Sequence, residues 1–119
     1  MKGKMKTLKL ALSSSKYLYN IPEAVDGYIF DYTPDVTEVI ALEQKAELKL
    51  LDIFRVKNVK RKTSFLKPDT YSVHINLYIT GYTSMLISVL NVCARYGIKV
   101  TVYHFSKKGN KFFPQEVMN

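Results

Sequence analysis

The stretch VHINLYITGYTSMLISVLNVCARYGIKVTVYHF, from Val73 to Phe105, decides the fold. Apolar residues at every second position from Val73 to Ile79 predict a strand with one buried side. A helical spacing of apolar residues follows from about Thr83 to Tyr96, and Gly97 is placed to end that helix. A second strand is predicted from Ile98 to Phe105. A strand, helix and strand in this order join two parallel strands, so the stretch predicts a βαβ unit and an α/β fold.

The rest of the chain supplies further elements around this unit. Alternation predicts a first strand from Thr7 to Ser13, and aromatic and β-branched residues predict a short one from Tyr28 to Tyr32. The pattern from Val36 to Phe54 is mainly helical, although Val36–Leu42 fits an edge strand equally well. A turn at Lys107–Asn110 leads into a last strand, Lys111 to Val117, which Pro114 assigns to an edge. We predict a single domain over residues 1–119, a Rossmann-like open and mainly parallel sheet with helices on its faces and a C-terminal antiparallel hairpin.

Composition narrows the class of protein. The 119 residues are 47% hydrophobic and 24% charged, which excludes whole-chain disorder and collagen-like repeats. Apolar runs fall short of the roughly 20 residues that span a bilayer, and Met1–Lys9 lacks the apolar stretch of a signal peptide. The single cysteine, Cys93, excludes an internal disulfide framework, and neither His74 nor His104 has a second metal ligand at useful spacing. We expect a cytoplasmic protein with no membrane partner, metal or cofactor.

Charge favours an anionic partner. Eighteen basic residues against ten acidic ones give a formal net charge of +8, and a positive field concentrates polyanions near a surface. The basic connection Arg55–Pro68, with its basic residues between Arg55 and Lys67, is a possible contact for RNA or DNA. A solvated basic loop explains the same residues without a partner.

Two polar turns follow predicted parallel strands, where ligands of open sheets bind. One is Ser13–Lys16 and the other is Thr80–Ser84, which runs into a helix. Gly81 permits close approach of the backbone, and Thr83 or Ser84 can cap the helix or offer a hydroxyl to an anion. The free N–H groups and the dipole at a helix start favour a phosphate. An ordinary helix cap is the alternative interpretation of the second turn.

The segment NLYITGYTSM, Asn76 to Met85, resembles the signature of the CARF domain, the CRISPR-associated Rossmann-like fold. In that family a strand runs into a Thr-Gly-Gly-Thr-Lys type of turn and then an apolar helix. The resemblance extends over Val73–Val117 and loosely over Thr7–Lys16. This sequence departs from the pattern at Tyr82, which replaces the second glycine, and at Ser84, which replaces the lysine.

The resemblance implies a homodimer that binds cyclic oligoadenylate, with cyclic tetra-adenylate the expected ring, across its two-fold axis. Position by position, Thr80, Gly81, Thr83 and Ser84 match the phosphate-binding turn, and the polar end of the first strand corresponds to Ser13, Ser14 and Ser15. A chain without an effector domain resembles either a ring nuclease or a sensor. A ring nuclease linearises the messenger by metal-independent attack of a ribose 2′-OH and switches off type III CRISPR antiviral signalling. A non-catalytic sensor and a plain nucleic-acid-binding domain remain the alternatives.

Individual residues receive roles as hypotheses. Lys16 is a candidate for charge stabilisation at the reacting phosphate, and Ser14 or Ser15 for alignment of the 2′-OH. His104 lies near a strand end, where acid–base work is possible, whereas His74 is expected to be a hydrogen-bonded structural residue. The remaining candidates are expected around the ligand. Tyr82 is a candidate for stacking on a base. Lys107 and Lys108 either close over the ligand or serve only as solubilising edge charges.

Overall fold

The computed structural model describes residues 5–13, 25–30, 38–63, 65–66, 69–79, 83–106, 108–109 and 111–117, with the side chain of Thr83 excepted. The main sheet takes its strands from both halves of the chain, and two helices lie between strands in the order of the sequence. In chain order the elements are β1 (Lys6–Ser13), β2 (Gly27–Phe30), α1 (Val39–Val56), β3 (Arg61–Lys62), β4 (Thr70–Tyr71), β5 (Val73–Tyr78), α2 (Thr83–Arg95), β6 (Lys99–Ser106) and β7 (Lys111–Glu116).

Five strands form the main sheet in the order β2-β1-β5-β6-β7. The first four are parallel, with Leu10 opposite Leu77 and Leu77 opposite Val102. Strand β7 is antiparallel to β6 and is the last strand in this order. Pro114 is therefore on an edge strand, where it lies opposite Tyr103. The proline nitrogen has no proton and cannot donate a hydrogen bond to a neighbouring strand. Proline is tolerated on an edge strand because one side of that strand has no neighbour. The predicted α/β class, the mainly parallel sheet and the C-terminal antiparallel hairpin are confirmed.

The hydrophobic core lies between the sheet and the two helices. Paired residues of parallel strands share a face, so Leu10, Leu77 and Val102 point the same way. Helix α1 buries Leu42, Ala46, Leu50, Ile53 and Phe54, and the side chain of Ile53 reaches β2 beside Gly27. The buried residues of α2 are Met85, Ser88, Val89, Val92 and Cys93. Burial of these side chains stabilises the fold by about 1.5–3 kcal/mol for each large one.

The two helices lie side by side, and polar contacts join them. The Asn91 side chain donates to Glu43 at 3.0 Å, and the Arg95 guanidinium lies 3.5 Å from Glu43 and 3.8 Å from Glu47. Gly97 ends the second helix with φ of 64°, a left-handed conformation that glycine adopts without steric cost. The predicted stop at this residue is confirmed, and the polar side chains of Asn91 and Arg95 on α2 face α1.

The segment predicted as a basic connection, Arg55–Pro68, begins within the end of α1 and contains β3, the first strand of a small hairpin that the sequence did not reveal. Strands β3 and β4 are antiparallel, with Arg61 opposite Tyr71 and Lys62 opposite Thr70. Two-residue strands are too short for a period of two to be recognised in a sequence. The open question at Val36–Leu42 is decided for the part described here, because helix α1 begins at Val39. The second strand ends at Phe30, and residues 31–37 lie outside the described part of the chain.

Candidate functional site

The strand order creates a switch point between β1 and β5. From β1 the chain continues to β2 on one side, whereas from β5 it continues through α2 to β6 on the other side. Connections that leave in opposite directions open a crevice beyond the carboxyl ends of the two strands, and this crevice is where open α/β sheets bind ligands. Both polar turns predicted from the sequence follow these two strands.

Ser13 is the last residue of β1, and it is the described member of the first turn. It pairs with Phe30 of β2 and is 2% exposed. Its burial leaves little of this side chain accessible to a ligand. The remaining predicted residues of this turn, Ser14, Ser15 and Lys16, lie outside the described part of the chain.

The second turn leads directly into α2. Thr80, Gly81 and Tyr82 lie outside the described residues, whereas Thr83 is the first residue of the helix and Ser84 the second. The first turn of the helix contains no acidic residue. Backbone N–H groups at a helix start have no partner within the helix, and the dipole adds about half a positive charge there. This end of α2 is therefore electrostatically suited to an anion.

Contacts further along α2 fix the orientation of the helix and of its first turn. The buried Ser88 hydroxyl donates to the Ser84 carbonyl oxygen at 2.8 Å. One and two turns later, Asn91 and Arg95 tie the helix to Glu43 of α1. The helical spacing from Thr83 to Tyr96 gives no partner for Asn91 or Arg95, because which helix lies alongside cannot be read from local periodicity.

His104 lies on β6 near the carboxyl edge of the sheet. One ring nitrogen, Nε2, lies 2.8 Å from Gln115 Oε1 on β7, and the ring stacks on Phe113 with centroids 5.2 Å apart. By strand alternation His104 is on the face that carries Val102, whereas Ser13 is on the opposite face. Since adjacent strands are about 4.8 Å apart, His104 is roughly two strand spacings from β1. The structure does not bring these two predicted site residues into contact.

The predicted lysines belong to the hairpin between β6 and β7. Lys107 lies outside the described residues, and Lys108 is exposed in the turn beside Gly109, whose N–H donates to Ser106 Oγ at 3.2 Å. This turn is at the carboxyl end of β6, the same end of the sheet as the switch point. Lys108 therefore adds positive charge on the ligand side of the sheet.

An aromatic cluster supports the same edge, and sequence reasoning missed it. Tyr78, the last residue of β5, stacks on Tyr103 with centroids 4.6 Å apart and meets Phe112 edge-on at 5.2 Å. Phe105 packs on Phe112 at 5.3 Å. Burial is the first cause, and Tyr103 the second, of a raised pKa for the Tyr78 phenol. These rings hold the strand end that precedes the Thr-Gly turn, and the alternation of aromatics on β6 was the available signal.

Two cavities lined by described residues lie elsewhere. One, of about 340 Å³, has His74, Lys99 and Glu116 in its wall, and the other, of about 330 Å³, has Asp26, Lys57 and Asp52 among its residues. Both are at the amino ends of strands, and the charges lining each are mixed. Neither coincides with the crevice predicted for an anionic ligand.

Two other titratable side chains, those of His74 and Cys93, are engaged in packing and hydrogen bonding within the fold. His74 Nε2 lies 2.7 Å from Thr101 Oγ1 on the neighbouring strand, which agrees with the hydrogen-bonded histidine expected from the sequence. Cys93 is fully buried in α2, and burial raises the pKa of its thiol to about 12. Among the described residues there is no cluster of three or more His, Cys, Asp or Glu side chains that could hold a metal ion. Within the same residues no helix is both long and apolar enough to cross a membrane.

Comparison of the chain with protein-family models, with curated proteins and with solved structures finds no match in any of the three. The geometry at the carboxyl edge of the sheet is therefore the basis for any functional conclusion. That geometry consists of the switch point between β1 and β5, the buried Ser13 at the end of β1, the acid-free start of α2 and the exposed Lys108 on the hairpin between β6 and β7.

Proposed function

We propose that the chain binds cyclic oligoadenylate, with cyclic tetra-adenylate the preferred ring, and opens it to a linear product. The observation that carries the proposal is the acid-free start of α2 at the switch point, beside the carboxyl end of β1. A ring of phosphates requires several oriented N–H and hydroxyl donors and a positive surround. The net charge of +8 and Lys108 on the adjacent hairpin agree with this requirement.

The proposed reaction is an internal transfer at one phosphate of the ring. The ribose 2′-oxygen forms a bond to the adjacent phosphorus, the bond from phosphorus to the 5′-oxygen breaks, and the 2′ proton passes to that 5′-oxygen. The product ends in a 2′,3′-cyclic phosphate, and the step consumes no water or metal. The protein contributes alignment of the 2′-OH and stabilisation of charge on the phosphorane, roles we propose for Ser14, Ser15 and Lys16.

A homodimer is part of the proposal. Two copies related by a two-fold axis present each donor twice around a ligand with rotational symmetry. The proposed site thus combines Ser13, Thr83, Ser84 and Lys108 from both copies, together with Thr80, Gly81, Tyr82 and Lys107 of the connecting turns. In a dimer of this kind His104 is a candidate acid–base residue whose ring is oriented by Gln115.

The test is incubation of the purified protein with cyclic tetra-adenylate and cyclic hexa-adenylate in the presence of EDTA, followed by chromatography and mass measurement. Linear species ending in a cyclic phosphate are expected, and Lys16→Ala and Ser14→Ala are expected to slow their formation. A bound but intact ring would replace the enzyme with a sensor. A ring that neither binds nor opens would overturn the proposal.

A further inference from the structure

The hairpin formed by β3 and β4 presents two apolar side chains directly to solvent. Phe65 is 104% exposed and Leu66 is 91% exposed, and they are adjacent in the turn between the two strands. Full exposure of neighbouring large apolar residues is costly in water and marks interaction sites when it occurs with charged surroundings. Phe65 and Leu66 are the most exposed large apolar side chains among the described residues; the others are Met5, Val39, Ile40, Leu48, Val56, Ile87 and Phe113.

The base of this hairpin is anchored firmly to the body of the protein. Tyr71 packs between Phe54 and Tyr96, with ring centroids 5.0 and 5.6 Å away. Within the hairpin, the Ser72 N–H donates to the Lys60 carbonyl at 2.9 Å and closes its base. Phe65 and Leu66 therefore extend from a hairpin whose base is fixed to the hydrophobic core.

Three consecutive basic residues lead into and form the first strand of the hairpin. Lys60, Arg61 and Lys62 follow one another and are exposed, whereas the opposite strand is preceded by Asp69, which lies 3.8 Å from the Arg61 guanidinium. The ammonium groups of Lys60 and Lys62 form no ion pair with a carboxylate in the described part of the chain. An aromatic tip beside a row of basic residues matches the requirements of a single nucleic-acid strand, which needs base stacking and phosphate neutralisation together.

We propose that the β3–β4 hairpin binds single-stranded RNA or DNA, with Phe65 stacked on a base and Lys60 and Lys62 on the phosphates. A linear row of basic residues beside one exposed aromatic ring fits a single nucleic-acid strand, which offers phosphates in a row and bases that stack, and binding to a planar anionic membrane is the competing outcome of the test below. The hairpin lies at the amino end of β5, next to Gly97 before β6, where a Cβ would meet Thr70 at 3.4 Å. It is therefore at the opposite end of the sheet from the switch point, and the proposal is independent of the cyclic ligand.

The test measures fluorescence anisotropy of labelled oligouridine and oligothymidine, which contain no adenine, with wild type and four variants at the hairpin. Phe65→Leu, which keeps an apolar tip, is expected to bind roughly tenfold more weakly, since one stacked base accounts for about that factor. Phe65→Tyr, which keeps the ring, is expected to bind like wild type. Lys60→Ala and Lys62→Ala should each reduce the slope of log affinity against log salt by about 0.7.

Two matched controls and two competing outcomes complete the experiment. Leu48→Ala removes an exposed apolar side chain from α1, and Lys111→Ala removes a charge at the far end of the sheet; both should leave oligouridine binding unchanged. Addition of cyclic tetra-adenylate should not displace the oligonucleotide. Equal binding by Phe65→Leu and Phe65→Tyr, or binding to vesicles containing phosphatidylserine without binding to oligonucleotides, would overturn the proposal.

Discussion

Placing a carboxylate in the first turn of α2 should change protein stability and anion binding in opposite directions. Ser84 is half-buried there, and the hydrogen bond it receives from Ser88 ends on its backbone carbonyl, which a substitution retains. In Ser84→Asp the new negative charge faces the positive end of the helix dipole, which stabilises a helix by about 0.3–1 kcal/mol. Unfolding of the variant in urea is thus expected at the same or a slightly higher midpoint.

The same charge opposes an anionic ligand at the switch point. Two unit charges 4 Å apart repel by about 1 kcal/mol in bulk water and by about 4 kcal/mol at the effective dielectric constant near a protein surface. For a half-buried position we expect roughly 2 kcal/mol, or about 30-fold weaker binding of cyclic tetra-adenylate. Isothermal titration at fixed salt measures the affinity, with urea unfolding of the same preparations alongside.

Two controls isolate the local charge from other effects. Ser84→Asn has nearly the same shape as Ser84→Asp without the charge, so its affinity should stay within about threefold of wild type. Leu48→Asp changes the net charge by the same amount on the exposed side of α1 and should also bind normally. Unchanged affinity in Ser84→Asp, together with unchanged stability, would refute the placement of the ligand at the start of α2.

Three other predictions concern the body of the protein. Cys93 should resist thiol reagents in the folded state, because a rise of its pKa from 9.0 to about 12 lowers the thiolate fraction roughly 1,000-fold; fast labelling without denaturant would contradict its burial. A hydrogen bond to Glu47 is the first cause, and burial the second, of a rise in the pKa of Tyr96 to about 12. The stabilisation of the fold by this hydrogen bond is therefore complete below pH 10 and lost as the pH rises through 12. An ultraviolet pH titration should show one phenol that ionises at a higher pH than the others and is missing in Tyr96→Phe. If this phenol persists in Tyr96→Phe, its assignment to Tyr96 is wrong. Finally, Leu77→Ala in the central strand should cost about 2–5 kcal/mol in urea unfolding, whereas Leu66→Ala at the exposed hairpin tip should change stability by less than about 0.5 kcal/mol; equal effects would show that the hairpin tip is packed.

Local pattern was sufficient for the elements that pack against one another. Alternation predicted β5 to within a residue of its observed end, and Gly97 marked the end of α2 because a left-handed residue was needed there. The βαβ unit followed from order along the chain, since a helix between two strands makes them parallel. The predicted site at the carboxyl ends relied on this order and on the Thr-Gly turn.

Contacts between distant segments had no such signal. The partners of Asn91 and Arg95 are on α1, about 50 residues away in the chain, and the pairing of His104 with Gln115 depends on the register of β7. A two-residue strand such as Arg61–Lys62 carries no period, so the hairpin and its exposed Phe65 emerged only in three dimensions.

The amino-acid sequence alone determined the class of fold, the basic character and the positions of the polar turns, because these follow from local periodicity, composition and chain order. Only the tertiary structure decided the strand order β2-β1-β5-β6-β7, which creates the switch point between β1 and β5, and the placement of the Phe65 hairpin at the opposite end of the sheet. The physical reason is that these arrangements depend on which buried surfaces meet across the core, and no short stretch of sequence contains both partners of such a contact.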